Sequence, residues 1–171
     1  MEHFPVPDLK GKPDMQRLIR EYGDSILRMC VLYLHDIHLA EDAVQETYIR
    51  VYEKWGQFKG NCSEKTWITS IAINVCKSQL RSAWFRNRLC KEEAQKEPFQ
   101  EDPPLWDDTV LQEISSLKPR YKEVILLFYY QEMKTKEIAV ALGVTESAVS
   151  VRLNRARKQL KKSLKGWYYD E

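Results

Sequence analysis

MKTKEIAVALGVTESAVSVRLNRARKQLKK, residues Met133 to Lys162, reads as two short helices joined by a tight turn. Ile138, Ala139 and Leu142 line one face of the first helix. Val149, Leu153, Ala156 and Leu160 recur at helical spacing in the second, so each helix has one side to bury. Between them Gly143 can adopt the left-handed conformation that ends a helix, Val144 can fill the corner, and Thr145 can cap the helix that follows. This is the grammar of a helix-turn-helix.

The outward face of the second helix supplies the chemistry. Arg152, Arg155, Arg157, Lys158, Lys161, Lys162 and Lys165 fall within Ser150 to Lys165, a span with no acidic residue. A merely solvated face usually carries acidic partners for its cations; a rod of one sign suits phosphates. Ser150, Val151, Asn154 and Arg155 lie toward the start of this helix, the part that enters a major groove, and so can reach base edges. Arg152, Arg157 and Lys161 complete the candidate set for duplex DNA.

Working outward, the net charge of +2 on 171 residues averages strongly segregated blocks. From Asn74 to Lys91 there are basic residues at Lys77, Arg81, Arg86, Arg88 and Lys91 and no acid. From Glu92 to Asp108 there are seven acids against Lys96 alone. Basic, acidic and basic again suggests two nucleic-acid surfaces and a separator. The hydrophobic fraction of 43% is ample for a packed core. Cys30, Cys62, Cys76 and Cys90 form no CxxC pair, and His3, His35 and His38 complete no zinc spacing, which points to reduced thiols and no metal. No leader-like apolar run opens the chain and no stretch reaches the roughly 20 apolar residues of a membrane span, so direct membrane insertion is not expected.

Residues 1–13, rich in proline, read as an irregular lead-in. From Asp14 a helix is expected with Met15, Leu18, Ile19, Tyr22, Ile26, Met29, Cys30 and Tyr33 on its apolar face. After a break near His35 to His38, a second helix carries Ala40, Ala43, Val44, Thr47, Tyr48, Val51, Tyr52 and Trp55. Its other face, with Glu41, Asp42, Gln45, Glu46, Arg50 and Glu53, reads by itself as solvent-exposed. A glycine-containing loop follows, and then a long helix from Thr66 to about Leu89 has Trp67, Ile68, Ile71, Ala72, Val75 and Leu80 as its stripe. Asn74, Lys77 and Arg81 share another face of it. Trp67 reads as core; Trp84 and Phe85, interleaved with arginines, suit either core or a base-stacking surface. Glu92 to Trp106 has no helical stripe and reads as an acidic linker able to span about 50 Å when extended. Beyond it, Asp107 or Asp108 can cap a short helix bearing Val110, Leu111, Ile114 and Leu117. PRYKEVILLFYYQE, from Pro119, is apolar nearly all round and belongs at a bundle centre. Trp167, Tyr168 and Tyr169 close the chain. The expected fold is all-α: a helical domain over 14–91, a flexible linker over 92–106, and a helix-turn-helix domain over 107–171.

Two stretches are familiar together. AEDAVQETYIRVYEKWGQFKGNCSEKTWITSIAINVCKSQLR, Ala40 to Arg81, resembles the second region of bacterial RNA polymerase sigma factors in the short form of the extracytoplasmic-function group. The residues AED, QET and Tyr52, then FKG, then TWI and IAxN stand in the family's order. LKPRYKEVILLFYYQEMKTKEIAVALGVTESAVSVRLNRARKQLKK, Leu117 to Lys162, resembles the same group's fourth region. The resemblance implies that Asp42, Gln45 and Glu46 dock on the clamp helices of core RNA polymerase, replacing the solvent-exposed reading. It implies that Phe58, Lys59, Gly60, Asn61, Cys62 and Ser63 form the loop that receives a base flipped from the downstream promoter element, and that Asn74, Lys77 and Arg81 read and hold that element. It implies that Ser150, Val151, Asn154 and Arg155 read the upstream element. Asn61 and Cys62 occupy the most variable part of the loop and Asn154 a position often larger or aromatic, which bears on the promoter chosen.

Trapping a flipped base can offset the few kcal/mol that each unstacked step costs, so binding can drive melting without ATP. The expected function is promoter-specific initiation with core polymerase, on duplex and single-stranded promoter DNA. No cofactor is needed and no catalytic constellation is present. The resemblance further implies a cytoplasmic bacterial protein with an anti-sigma partner, in some cases anchored in the membrane. Two other readings stay open on the residues: an autonomous helix-turn-helix regulator, which leaves Ala40 to Arg81 unexplained, and a polymerase-binding interaction protein without promoter specificity.

Overall fold

The computed structural model describes residues 11–89 and 109–164, which form seven α-helices and, among the described residues, no strand. The expectations for residues 1–10, the acidic linker, the caps at Asp107 and Asp108, the side chain of Phe85, Cys90, Lys165 and the closing aromatics lie outside them.

Helix α1, Met15–Leu34, begins where the Asp14 carboxylate accepts from the Arg17 amide at 3.0 Å and ends at His35, whose φ of 55° is left-handed. Asp36 then caps α2, Ile37–Lys54, by accepting from the Leu39 amide at 2.9 Å. A 3₁₀ turn, Trp55–Gln57, leads into the loop before α3, Glu64–Leu89. The break expected near His35 to His38 is thus a two-residue corner with α2 starting early, because Asp36 supplies the orphan amides of the first turn with an acceptor. Helices α1, α2 and α3 pack on one another around Leu18, Ile26, Met29, Ala43, Val51, Ile68 and Ala72. Cys30 and Cys76 meet in this core as free thiols with sulfurs 3.6 Å apart, and the contact with Cys76 together with burial pushes the Cys30 thiol far above its ordinary range. Three residues expected in the apolar stripes of these helices, Ile19, Tyr52 and Leu80, are instead exposed.

The second half comprises α4, Thr109–Ser116; α5, Pro119–Ile125, continued by a π-helical turn over Leu126–Tyr130; α6, Thr135–Leu142; and α7, Glu146–Leu164. Val124, Ile125, Leu126 and Leu127 are buried at its centre, as the all-round apolar run predicts. Gly143 sits at φ 65° and ψ 39° between α6 and α7, a conformation that strains any residue with a Cβ. The Thr145 hydroxyl accepts from the Ala148 amide at 3.1 Å and caps α7. Ile138, Ala139, Val149, Leu153 and Ala156 bury the inner faces of this helix-turn-helix.

The halves are packed together. Helix α6 lies on α3, and α1 meets both α4 and the π-turn, so buried apolar residues from Leu18 to Ala156 form one contiguous cluster.

Candidate nucleic-acid interface

The loop after α2 is built on three aromatic rings. Trp55 and Phe58 have centroids 5.7 Å apart, Phe58 and Trp67 5.0 Å, and Trp55 and Trp67 6.0 Å in an edge-on arrangement. Phe58 is only 2% exposed, so its side chain is the loop's anchor and does not itself face a ligand. Its amide closes the 3₁₀ turn on the Trp55 carbonyl at 3.0 Å. Gly60 turns the chain at φ 69°. Ser63 ends the loop as the cap of α3, its hydroxyl accepting from the Thr66 amide at 3.1 Å and lying 2.9 Å from the Thr66 hydroxyl. Side chains at both ends of Phe58 to Ser63 are therefore committed to structure. Lys59 and Asn61 remain exposed at the crest. Cys62 is half-buried, and burial together with the Glu137 carboxylate raises its thiol above the ordinary range.

On α3, Asn74 and Arg81 are exposed on the face that the sequence assigns to them, with Lys77 between. Lys77 is already engaged: its Nζ lies 3.2 Å from Oε1 of Glu123 on α5.

On α2, Asp42 and Gln45 are exposed, while Glu46 is partly covered and accepts from Arg50 Nε at 2.7 Å. Ile49, 54% exposed, and Tyr52, 45% exposed, lie on the same stripe as Asp42 and Gln45 at helical spacing. Sequence reasoning missed this pair. The available signal was an isoleucine off the buried stripe, in a run of otherwise polar outward positions.

Along α7, Ser150, Val151, Asn154, Arg155, Lys158, Lys161 and Lys162 are exposed and Arg152 is partly covered. The Ser150 hydroxyl donates to the Glu146 carbonyl at 3.1 Å. Arg155, with the charge of Arg120, holds the Tyr121 phenol below its ordinary value, and Arg155 itself is exposed on the open face. Arg157 departs from the expected set. Its Nε donates to the Tyr129 hydroxyl at 2.9 Å and its guanidinium lies 5.1 Å from the centre of the Phe128 ring, which turns it onto α5 and the π-turn.

Sequence comparison agrees with this layout. The family model for Sigma-70 region 2 matches residues 18–86, and that for Sigma-70, region 4 matches residues 107–160. The chain is 27% identical over 169 residues to RNA polymerase sigma factor YlaC of Bacillus subtilis (strain 168), covering 91% of this chain and 95% of that protein. It is 31% identical over 172 residues to the ECF RNA polymerase sigma factor SigW of the same organism, covering 91% of this chain and 92% of that protein. The chain belongs to the ECF group of RNA polymerase sigma factors. The solved structure of the sigma factor RpoE with the anti-sigma factor NepR from Bartonella quintana shares the fold at a TM-score of 0.71 and 21% identity, over 92% of this chain and 99% of that one. CnrH, solved with the cytosolic domain of CnrY, shares it at 0.68 and 21%, over 89% and 88%.

As an ECF sigma factor the chain binds core RNA polymerase and directs promoter-specific initiation, with promoter DNA as its second partner. Region 2 falls on α1 to α3 and region 4 on α4 to α7. No described helix is long and apolar enough to cross a membrane.

Proposed function

We propose that the work of initiation is divided between three surfaces. The α2 stripe of Asp42, Gln45 and Glu46, extended by Ile49 and Tyr52, docks on core polymerase: exposed apolar side chains among acids suit a protein partner better than water or DNA. The loop crest at Lys59, Gly60, Asn61 and Cys62, held by Phe58 and Ser63, receives a base from the downstream element. Asn74, Lys77 and Arg81 hold the strand beside it. Ser150, Val151, Asn154 and Arg155 read the upstream duplex, with Arg152 and Lys161 on phosphates. Arg157 steadies α7 instead of touching DNA. The observation that carries this reading is the open face of α7, where amide and guanidinium groups at Asn154 and Arg155 precede a run of lysines unbroken by acids.

The reading gives the domains the bounds 14–91 and 107–171 with an acidic spacer over 92–106, whose charge keeps it off DNA. It gives the chain no catalytic centre of its own and places it in the bacterial cytoplasm. Support for an inhibitory partner of the anti-sigma kind comes from the two solved relatives, each captured with another protein; a membrane-anchored partner would hold this chain at the membrane.

Run-off transcription with core polymerase and permanganate footprinting tests the division. The Asn74→Ala, Arg81→Ala double variant is expected to form closed complexes and lose thymine reactivity in the downstream element. Full reactivity in that variant would remove the α3 face from the melting step.

A further inference from the structure

Helix α7 is seated firmly along its first half, where Val149, Leu153 and Ala156 are buried and the helix packs on α5 and α6. Beyond Ala156 that seat gives out. Leu160 is only half-buried, and between α4, the π-turn and α7 lies a groove of about 340 Å³ lined by Val110, Ile114, Ile125, Tyr130 and Leu160, with Tyr129 and Arg157 at the same opening. A rod that passes over unfilled space is not fixed in tilt by packing there. What spans the groove is a polar and aromatic contact. Arg157 Nε donates to the Tyr129 hydroxyl at 2.9 Å, and the guanidinium lies 5.1 Å from the centre of the Phe128 ring and 5.6 Å from that of Tyr129.

Arg157, like Arg155, is exposed, so burial does not turn it away from the open face. The two rings do. Phe128 and Tyr129 stand edge to face with centroids 5.0 Å apart and offer a hydroxyl acceptor beside two π faces. A guanidinium can use acceptor and faces together, whereas an ammonium is a point charge that cannot. The π-turn makes this arrangement: the Gln131 amide bonds to the Leu126 carbonyl, five residues back, at 3.1 Å, so the turn holds one residue more than an α-helical turn. Leu126 and Leu127 stay buried while Tyr129, 52% exposed, reaches α7. The location matters more than the strength. By helical rise Arg157 stands only about 3 Å along the axis from Arg155 and about 4.5 Å from Asn154. Bidentate contacts to base edges tolerate misplacement of about 0.5 Å, while a long, flexible lysine follows a phosphate through larger shifts.

We propose that Tyr129 and Arg157 are positioning residues for promoter choice: their clamp, presented by the π-turn, sets the tilt and roll of α7 so that Asn154 and Arg155 meet base edges in one register. Loosening the clamp therefore blurs which upstream sequence is preferred and leaves the attraction to phosphates as it was. Specificity at this element is set in part by a tyrosine on another helical segment that touches no DNA. The clamp rests on the reading of the upstream element by α7 proposed above.

The test uses holoenzyme assembled from core polymerase and the full chain, competed between duplex promoter fragments that differ at single positions of the upstream element, at several salt concentrations. Two numbers are read: the affinity ratio between preferred and altered base at the most discriminating position, and the salt slope. Arg157→Ala and Arg157→Lys are each expected to lower the ratio about tenfold, within the discrimination that one bidentate base contact supplies, with the slope unchanged. Tyr129→Phe keeps the ring and removes only the acceptor, and should lower the ratio about threefold, the scale of one hydrogen bond. Combining Tyr129→Phe with Arg157→Lys should cost no more than Arg157→Lys alone, because both break one contact. Circular dichroism melts check folding, and if Arg157→Ala does not fold, Tyr129→Phe and Arg157→Lys decide. A native ratio in the single variants overturns the clamp. A salt slope reduced by about one unit in Arg157→Ala also overturns it, since Arg157 is then a phosphate contact. A native holoenzyme that does not discriminate among the fragments removes the reading role of α7 itself, and the clamp falls with it.

Discussion

On α7, the exposed lysines Lys158, Lys161 and Lys162 form no ion pair with a carboxylate among the described residues, whereas on α3 the central lysine of the face lies 3.2 Å from a buried glutamate. The two surfaces also differ in how they are held. The reading face of α7 is a continuous helix fixed by a left-handed glycine and a threonine cap. The α3 surface depends on a loop whose base is an aromatic trio and whose crest carries only Lys59 and Asn61 outward. The difference suits the ligands. Duplex DNA is a rigid rod that a preformed cationic helix can meet in any arrangement of the halves. A single strand exists only after melting, so the surface that binds it gains from being available late.

The largest expected effect separates protein contact from DNA contact. Asp42→Arg with Glu46→Arg should abolish assembly with core polymerase on native gels and leave duplex binding by the full chain unchanged. Holoenzyme formation at the native level by this double variant would remove the α2 stripe from the docking surface. Next is the loop anchor. Phe58→Ala deletes a ring that is 2% exposed between two tryptophans and should lower stability by about 3 to 5 kcal/mol in urea denaturation. A loss below about 1 kcal/mol would mean that the ring is not the anchor.

Within α7 the contrast is between reading and holding. Arg155→Ala should cost about 1 to 3 kcal/mol at a single base position of the upstream element, while Lys161→Ala should weaken all sequences alike and reduce the salt slope by roughly one unit. Titrations of both variants against a panel of element sequences at several salt concentrations measure this, and uniform weakening by Arg155→Ala would end its reading role. The smallest effect concerns the cap. Thr145→Ala should lower thermal stability of the second half by about 1 kcal/mol and leave the pattern of base preference intact, because it frays only the first turn of α7. A changed preference would show that the cap positions Ser150 and Val151.

What residue order alone determined lies within single elements. The spacing of Ile138, Ala139, Val149, Leu153 and Ala156 identifies buried helix faces, and Gly143 and Thr145 mark the turn, because these depend on backbone conformation and on neighbours three or four residues away. The family motifs likewise run along the chain. What only the tertiary structure decided rests on partners far apart in sequence. Arg155 and Arg157 are nearly equivalent in the chain, yet Tyr129 and Phe128 take Arg157 out of the open face. Phe58 sits in a polar loop and becomes core because Trp55 and Trp67 close around it. Lys122 and Glu123 are two of the four charged residues of a run, Pro119 to Glu132, that reads as apolar nearly all round, and nothing local says whether they meet water. They are buried because Tyr33, ninety residues from Glu123, brings a hydroxyl to one and a carbonyl to the other. Periodicity reports which side of a helix is hidden; it carries no information on what hides it, since that is set by the packing free energy of whole elements against one another.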